Sequence, residues 1–154
     1  MKKAPLPADF RRSDLVPELI VSNLDVSLAF WCGLVGFETL YERPEERFSY
    51  LGLGGAQIML EEFNAKFRQW VTGPLEAPLG RGVNFQIQTT DCDAVLVRLK
   101  QAGVKIYMDV EERWYRVGEA ETGTRQFLVQ DPDGYLLRIA SSLGDRPFVK
   151  RAEQ

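Results

Sequence analysis

The chain has 154 residues, of which 45% are hydrophobic and 27% charged, and its formal net charge is −3. This composition is that of one ordinary globular domain, and its modest acidic excess argues against a nucleic-acid partner. No apolar run is long enough to span a bilayer, and the first residues lack the apolar core of a secretory signal. We therefore predict a cytoplasmic protein with no membrane partner.

Histidine is absent from the sequence, and the only two cysteines are Cys32 and Cys92. Histidine is the commonest transition-metal ligand and the commonest general base. Its absence excludes serine–histidine and cysteine–histidine catalysis, and two cysteines are too few for a thiolate zinc site. We expect both cysteines to be free, and we assign no metal, no cofactor and no catalytic residue.

Eight short segments rich in β-branched and aromatic residues predict strands. In chain order they are 16–22, 37–43, 48–53, 56–63, 83–90, 104–110, 125–130 and 135–140. Two helices are predicted between them from apolar residues at helical spacing. The first begins after the N-cap Asn23 and ends at Gly36, and the second begins at Asp91 and ends at Gly103.

The connections differ in character. Residues 64–82 contain two prolines and three glycines and predict a linker with a short helix around 65–71. Residues 111–124 predict a long polar connection, and residues 143–154 a charged, frayed tail. In contrast, residues 131–134 (Asp-Pro-Asp-Gly) are typical of a tight turn with a left-handed glycine, so their two aspartates are interpreted as structural.

The chain contains an internal repeat of the order strand, helix, strand, strand, strand. The fold class is therefore predicted as α+β, with two tandem βαβββ modules forming a curved mixed sheet with a concave pocket. One domain is expected over residues 1–154, with modules at about 15–63 and 83–142. A ferredoxin-like domain with fewer strands is the alternative.

Three segments resemble a known family. Residues 20–42, 58–63 and 125–140 are similar to the first strand and helix, the fourth strand and the closing hairpin of the vicinal oxygen chelate superfamily. That superfamily includes glyoxalases, dioxygenases and bleomycin-resistance proteins. The Phe30-Trp31 pair stands where its first helix carries Phe-Tyr, and the resemblance covers about residues 15–142.

The resemblance implies a test for a metal site. The superfamily's metalloenzymes hold one divalent ion with four side chains, usually His, Glu or Gln. Those positions fall here near Val16, at Met59 or Glu61, near Phe85, and at Arg138. Valine and phenylalanine cannot coordinate a cation, and arginine is always protonated and would repel one. The resemblance therefore points to the branch that binds ligands without a metal.

In that branch, the resistance proteins sequester a drug at a dimer interface. By resemblance we expect a homodimer that binds a drug-like small molecule, cationic or aromatic, and serves antibiotic resistance. The ligand is expected to contact a mostly apolar set with one carboxylate and one guanidinium: Met59, Glu61, Phe63, Trp70, Phe85, Ile87, Trp114, Tyr115 and Arg138.

In this site hypothesis Glu61 pairs with Arg138, and the connection that carries Trp114 and Tyr115 forms a lid. Two alternatives stay open. One is an enzyme of the same superfamily that works without a metal, using Arg138, Tyr115 or a carboxylate as acid or base. The other is a metalloenzyme whose ligands lie elsewhere in the chain.

Overall fold

A computed structural model describes residue 6 and residues 8–150. The described chain divides into two compact units. The first consists of residues up to 83 together with 130–135, and the second of residues 84–129 together with those from 136 onward. Each unit contains one four-stranded mixed sheet.

The first sheet has the order β1-β4-β3-β2. Its strands are β1 (Glu18–Val21), β2 (Glu38–Arg43), β3 (Phe48–Leu53) and β4 (Ala56–Glu62). Strand β1 pairs in parallel with β4, and the other neighbours are antiparallel. Helix α1 (Leu24–Phe30) follows β1 and runs into a π-helical turn, Trp31–Val35, and a 3₁₀ turn, Pro44–Glu46, joins β2 to β3.

The second sheet repeats this plan with the order β5-β8-β7-β6. Its elements are β5 (Asn84–Gln88), α2 (Cys92–Gln101), β6 (Ile106–Val117), β7 (Ala120–Gln130) and β8 (Leu136–Pro147). Strand β5 pairs in parallel with β8 and β6 pairs antiparallel with β7. The predicted tandem βαβββ modules are thereby confirmed.

Both helices begin where the sequence predicts, but α1 reaches the predicted Gly36 only through the π-helical turn and α2 ends two residues before the predicted Gly103. The Asn23 side chain accepts a hydrogen bond from the Val26 amide at 3.0 Å, and that of Asp91 accepts one from the Ala94 amide at 3.0 Å. These bonds satisfy amide groups that the first helical turn leaves without a partner. Gly36 follows the first helical segment with φ of 107°, a left-handed angle that glycine adopts without strain.

The first sheet has two faces of different composition. One packs on α1 and contains Leu19, Val21, Leu51 and Leu60, all buried. We call the other the α1-distal face. Strand register places on it Glu18, Ile20, Tyr41, Arg43, Phe48, Tyr50, Gln57, Met59 and Glu61.

The prediction of an irregular connection at residues 111–124 is wrong. Strand β6 extends to Val117 and β7 begins at Ala120, so these residues form a long hairpin with a turn at Gly118, where φ is 62°. Polar side chains misled the prediction because a long hairpin can carry them on its solvent-facing positions. Strand β8 likewise continues to Pro147, beyond the predicted start of the tail at 143.

The linker also differs from its prediction. Residues 64–82, all of which the structure describes, contain turns and bends but no helix around 65–71. Local hydrogen bonds take the place of helical ones: the Asn64 amide donates to the Gln69 side chain, which donates in turn to the Glu62 carbonyl. In the part of the chain that is described, no helix has the length and apolar character needed to cross a membrane.

Candidate functional site

Two adjoining cavities of about 430 and 520 Å³ lie in the first unit, between β1 and the linker. These volumes are in the range of small-molecule sites. Every residue that lines them belongs to the first unit. The two cavities share one residue of β1 and a mostly apolar part of the linker: Ile20, Val71, Gly73, Pro74, Leu75 and Leu79.

The connection between β7 and β8 contributes Tyr135 to the lining of the first cavity and Asp133 to that of the second. The Leu79 amide donates to the Asp133 carbonyl at 2.8 Å, and the Tyr135 hydroxyl donates to the Ile20 carbonyl at 2.9 Å. The Asp133 carboxylate accepts the Ser22 amide with both oxygens, at 3.2 and 3.1 Å. Linker and β1 are thus fixed to one turn, which gives the cavities a defined shape.

The turn itself is organised by Asp131. Its carboxylate accepts hydrogen bonds from the amides of Asp133 and Tyr135 and from the Trp31 indole, at 3.0, 2.9 and 3.1 Å. Burial raises the pKa of Asp131 to about 6, although these three donors favour the charged form. Gly134 has φ of 96°, which confirms the left-handed conformation expected from the turn sequence.

A pair of carboxyl groups lies at the edge of this site. Glu18 lines the first cavity, and Glu61 is 9% exposed on the neighbouring strand. Burial raises the pKa of Glu18, a hydrogen bond to Glu61 and the charge of Glu61 raise it further, and only Arg43 acts against them. Glu18 therefore holds a proton more readily than an isolated glutamate does.

Aromatic and apolar groups predicted for the site are distributed around the cavities. Trp70 lines the first cavity and is 71% exposed, with the Arg68 guanidinium 4.3 Å from its ring centroid. Phe63 lines the second cavity and is half exposed. Met59 pairs with Glu18 in strand register and lies on the same face. The structure thus places four of the predicted residues, Met59, Glu61, Phe63 and Trp70, in or beside one region.

In the second unit the predicted set does not converge. Phe85 and Ile87 pair in register with Leu137 and Ile139, two fully buried core residues. Arg138 pairs with Gln86 and donates to its side chain at 2.7 Å. Because side chains alternate along a strand, Arg138 projects from the face opposite to Phe85 and Ile87. The expectation that these three line one pocket is wrong.

Trp114 and Tyr115 do not form a loop lid. They are consecutive residues of β6, so they point to opposite faces of the second sheet. Trp114 is half-buried against Gly123 and lies under the Arg146 guanidinium, 3.8 Å from its ring centroid. The Tyr115 hydroxyl accepts a hydrogen bond from the Gln126 side chain at 2.7 Å.

Three contributors to the site were missed from the sequence: Glu18, Tyr135 and the segment 71–81. A signal for Glu18 exists, since it is the one charged residue within a strand whose other members are apolar. Tyr135 and the linker gave no comparable signal, because they reach the site through contacts between residues far apart in sequence.

Comparison with known proteins decides the family. A model of the Glyoxalase/Bleomycin resistance protein/Dioxygenase superfamily matches residues 15–139. The chain belongs to this superfamily. No curated protein matches it.

Three solved structures illustrate the proteins to which this chain is similar. A glyoxalase/bleomycin resistance protein/dioxygenase superfamily member from Vibrio splendidus 12B01 is 39% identical, covering 82% of this chain and 96% of its own, with a TM-score of 0.37. TioX from Micromonospora sp. ML1 is 22% identical over 86% and 100% of the two chains, with a TM-score of 0.66. The fosfomycin resistance protein FosX from Listeria monocytogenes is 22% identical over 88% and 94%, with a TM-score of 0.53.

The residues present do not fit the divalent metal of the superfamily's metalloenzymes. Among the described residues, no three His, Cys, Asp or Glu side chains are grouped so that they could hold a metal ion. Glu61 has a carboxyl neighbour in Glu18, but the positions aligned with the other ligands contain Val16, Phe85 and Arg138. A guanidinium at such a position repels a cation, so no reaction step is assigned to a metal here.

Proposed function

We propose that this superfamily member binds a small molecule without a metal ion, holding a cationic, aromatic ligand between Trp70 and the Glu18–Glu61 pair. The observation that carries the proposal is a cavity lined both by Glu18, whose carboxyl group is hydrogen-bonded to Glu61, and by the exposed indole of Trp70. An indole face attracts a cation, and an aryl group stacks on the same surface. Sequestration of a drug, as in resistance proteins, is the biological role that we propose for this binding.

Each proposed contact has a distinct chemical role. The acid pair supplies negative charge close to apolar surface, where Coulomb attraction is less screened than in water. Trp70 supplies the stacking surface, and Phe63 and Leu79 supply apolar contact in the second cavity. Met59 is the register partner of Glu18 and lies on the same face of the sheet. A ligand of this description would be bound without being altered.

Binding can be measured by isothermal titration with metal-free bleomycin and with ethidium, a planar aromatic cation. Trp70→Ala should weaken binding of the responding probe about two- to fivefold, the range of a cation–π contact at an exposed site. Trp114→Ala is the matched control, because that indole packs within the hairpin of the second unit. Equal losses in the two variants, or binding of neither probe, would contradict the proposed site.

Charge recognition has its own test. Glu61→Gln should weaken ethidium while leaving an anionic aromatic probe, anilinonaphthalene sulfonate, unaffected or more tightly bound. Glu119→Gln, in the turn between β6 and β7, removes the same charge at a residue that lines neither cavity and serves as control. If the anionic probe binds the unaltered protein more tightly than ethidium does, the acid pair does not select the ligand.

One observation favours a second candidate function, a metal-independent enzyme. The raised pKa of Glu18 at a cavity edge is what a general acid requires. Glu18→Gln distinguishes the two functions: an enzyme would lose turnover of a bound ligand, detected by mass spectrometry of that ligand, whereas a binding protein would return it unchanged in both forms.

The homodimer and the cytoplasmic location remain part of this proposal. The two cysteines are free, and Cys92 is buried, which agrees with a reducing compartment. A dimer would place two copies of the ligand site in one particle, as proposed for a sequestering protein.

A further inference from the structure

An irregular segment before β1 lies across the α1-distal face of the first sheet. We call residues 10–13 the arm. The Phe10 ring meets Tyr41 and Tyr50 edge-on, with centroids 6.3 and 5.8 Å apart. The Arg12 guanidinium lies 5.1 and 5.7 Å from the same two ring centroids and donates to the Tyr41 hydroxyl at 3.0 Å.

The backbone of the arm is held by one side chain. The Gln57 amide donates to the Arg11 carbonyl at 2.7 Å, and its oxygen accepts the Ser13 amide at 2.8 Å. The same oxygen accepts the Tyr50 hydroxyl at 2.6 Å, which orients the amide toward the arm. A side chain that pairs with both a carbonyl and an amide of an extended segment recognises it as a binding site recognises a peptide.

The surface that the arm contacts is formed by Tyr41 and Tyr50, which are residues of the sheet. Tyr41 and Tyr50 are register partners on β2 and β3, stacked with centroids 4.9 Å apart and planes inclined by 20°. Their positions follow from the pairing of β2 with β3, in which the arm takes no part. The arm itself has no helical or strand hydrogen bonding, and Arg12 is exposed.

We propose that the Tyr41–Tyr50 surface is a second ligand site, for a cation that combines an aryl ring with a guanidinium or amidinium, and that the arm is its tethered competitor. The arm presents this chemistry in Phe10 and Arg12. A tethered segment acts at an effective concentration in the millimolar range, so a free ligand must exceed it to bind. Access to the site is therefore set by the strength of the arm's own contacts.

The first test uses a labelled, end-capped peptide with the sequence of residues 9–14 as the probe, followed by fluorescence polarisation. The full chain with Phe10→Ala and Arg12→Ala should bind the peptide at least tenfold more tightly than the unaltered chain. Arg11→Ala is the matched control, because within the described residues that side chain makes no hydrogen bond, ion pair or ring contact. Equal affinity in the unaltered and doubly substituted chains, or binding to neither, would overturn the proposal.

Two further measurements locate the site. Adding Tyr41→Ala to the doubly substituted chain should abolish the gained affinity, and benzamidine should displace the peptide because it joins an aryl ring to an amidinium. Retention of tight binding in the Tyr41→Ala chain would place the peptide elsewhere and overturn the proposal. Trp70→Ala tests only the proposed cavity site, and Tyr41→Ala tests only the Tyr41–Tyr50 surface. The two substitutions therefore show which of the two proposals fails.

A measurement on the unaltered chain covers the case in which the double substitution does not fold. Saturating peptide should speed hydrogen exchange at the Ser13 amide, because that amide loses its bond to Gln57 when the arm leaves. The Leu24 amide, bonded to Glu62 on the other face of the sheet, should exchange at its original rate. Unchanged exchange at Ser13 with bound peptide would contradict displacement of the arm.

Discussion

Gly134 occupies a position where a side chain has neither a suitable backbone angle nor space. Its φ is 96°, and a Cβ atom there would lie 2.4 Å from Pro78 Cβ and 2.6 Å from Pro78 Cα. Gly134→Val should lower the free energy of unfolding by about 2–5 kcal/mol, combining strain and overpacking. Gly144→Val, with φ of 89° and open space around its Cβ, should show the strain alone. If urea titrations show that both substitutions lower the free energy of unfolding equally, the contact with Pro78 does not contribute to the loss of stability.

Asp131 makes stability depend on pH in an unusual direction. Its pKa is about 6, mainly through burial, and the usual value is about 3.9. The folded state then binds the proton more tightly than the unfolded state. The proton on Asp131 therefore raises the free energy of unfolding, by up to about 3 kcal/mol. This contribution is complete at pH values below the unfolded pKa and is lost as pH rises through the folded pKa of about 6.

The measurement compares the unaltered chain with Asp131→Asn, which does not titrate. Other carboxyl groups change stability in both proteins and cancel in the difference. The unaltered chain should gain stability relative to Asp131→Asn as pH falls from 7 to 4, in urea titrations at both values. A difference that stays constant over this range would show that the pKa of Asp131 is not raised.

At the scale of the elements, the β6–β7 hairpin depends on one tight contact. Gly123 and Trp114 are register partners, and a Cβ atom on Gly123 would lie 2.7 Å from the indole. Gly123→Ala should therefore destabilise the second unit by about 1–3 kcal/mol, because the indole has to move. In a chain that already has Trp114→Ala, the same substitution should cost less, since the obstacle is gone. Additive losses in this double-mutant cycle would show that the two residues are not coupled.

Local signals made the helices and the closing turn predictable. Asn23 and Asp91 cap their helices through contacts within three residues, and Gly134 follows from its own turn. The hairpin was not predictable in the same way, because its polar residues carry no strand periodicity with one apolar face. Strand pairing alone determines that Trp114 faces Gly123.

Features of the candidate site that depend on strand pairing were likewise not predictable from the sequence. The family resemblance pointed to Glu61, and the aromatic residues of the irregular connection pointed to Trp70. The resemblance could not identify Glu18 as the neighbour of Glu61, since that proximity requires the parallel register of β1 and β4. Arg138 was assigned to the wrong neighbours because its face depends on the register of β5 and β8.

At the scale of the whole molecule, the second sheet ends in a long strand with a free edge. Strand β6 has 12 residues, lies last in the order β5-β8-β7-β6, and exposes Tyr107 and Val117 by 61% and 62%. A long edge strand with exposed apolar side chains is a template for pairing with another chain. Closed twofold symmetry is the commonest way to satisfy such an edge. We therefore predict that β6 contributes to the interface of a homodimer.

Sedimentation at micromolar concentration should give a mass near twice the 17.5 kDa of one chain. An interface of at least about 1,000 Å² is expected, and a charge placed within it should weaken association strongly. Tyr107→Lys should thus shift the protein toward the monomer, whereas Val97→Lys, exposed to 52% on α2, should leave the mass unchanged. A monomer in the unaltered protein would exclude the dimer. A dimer that both substitutions leave intact would place its interface away from β6, because an added lysine at a paired edge cannot keep its hydration and the strand contact together.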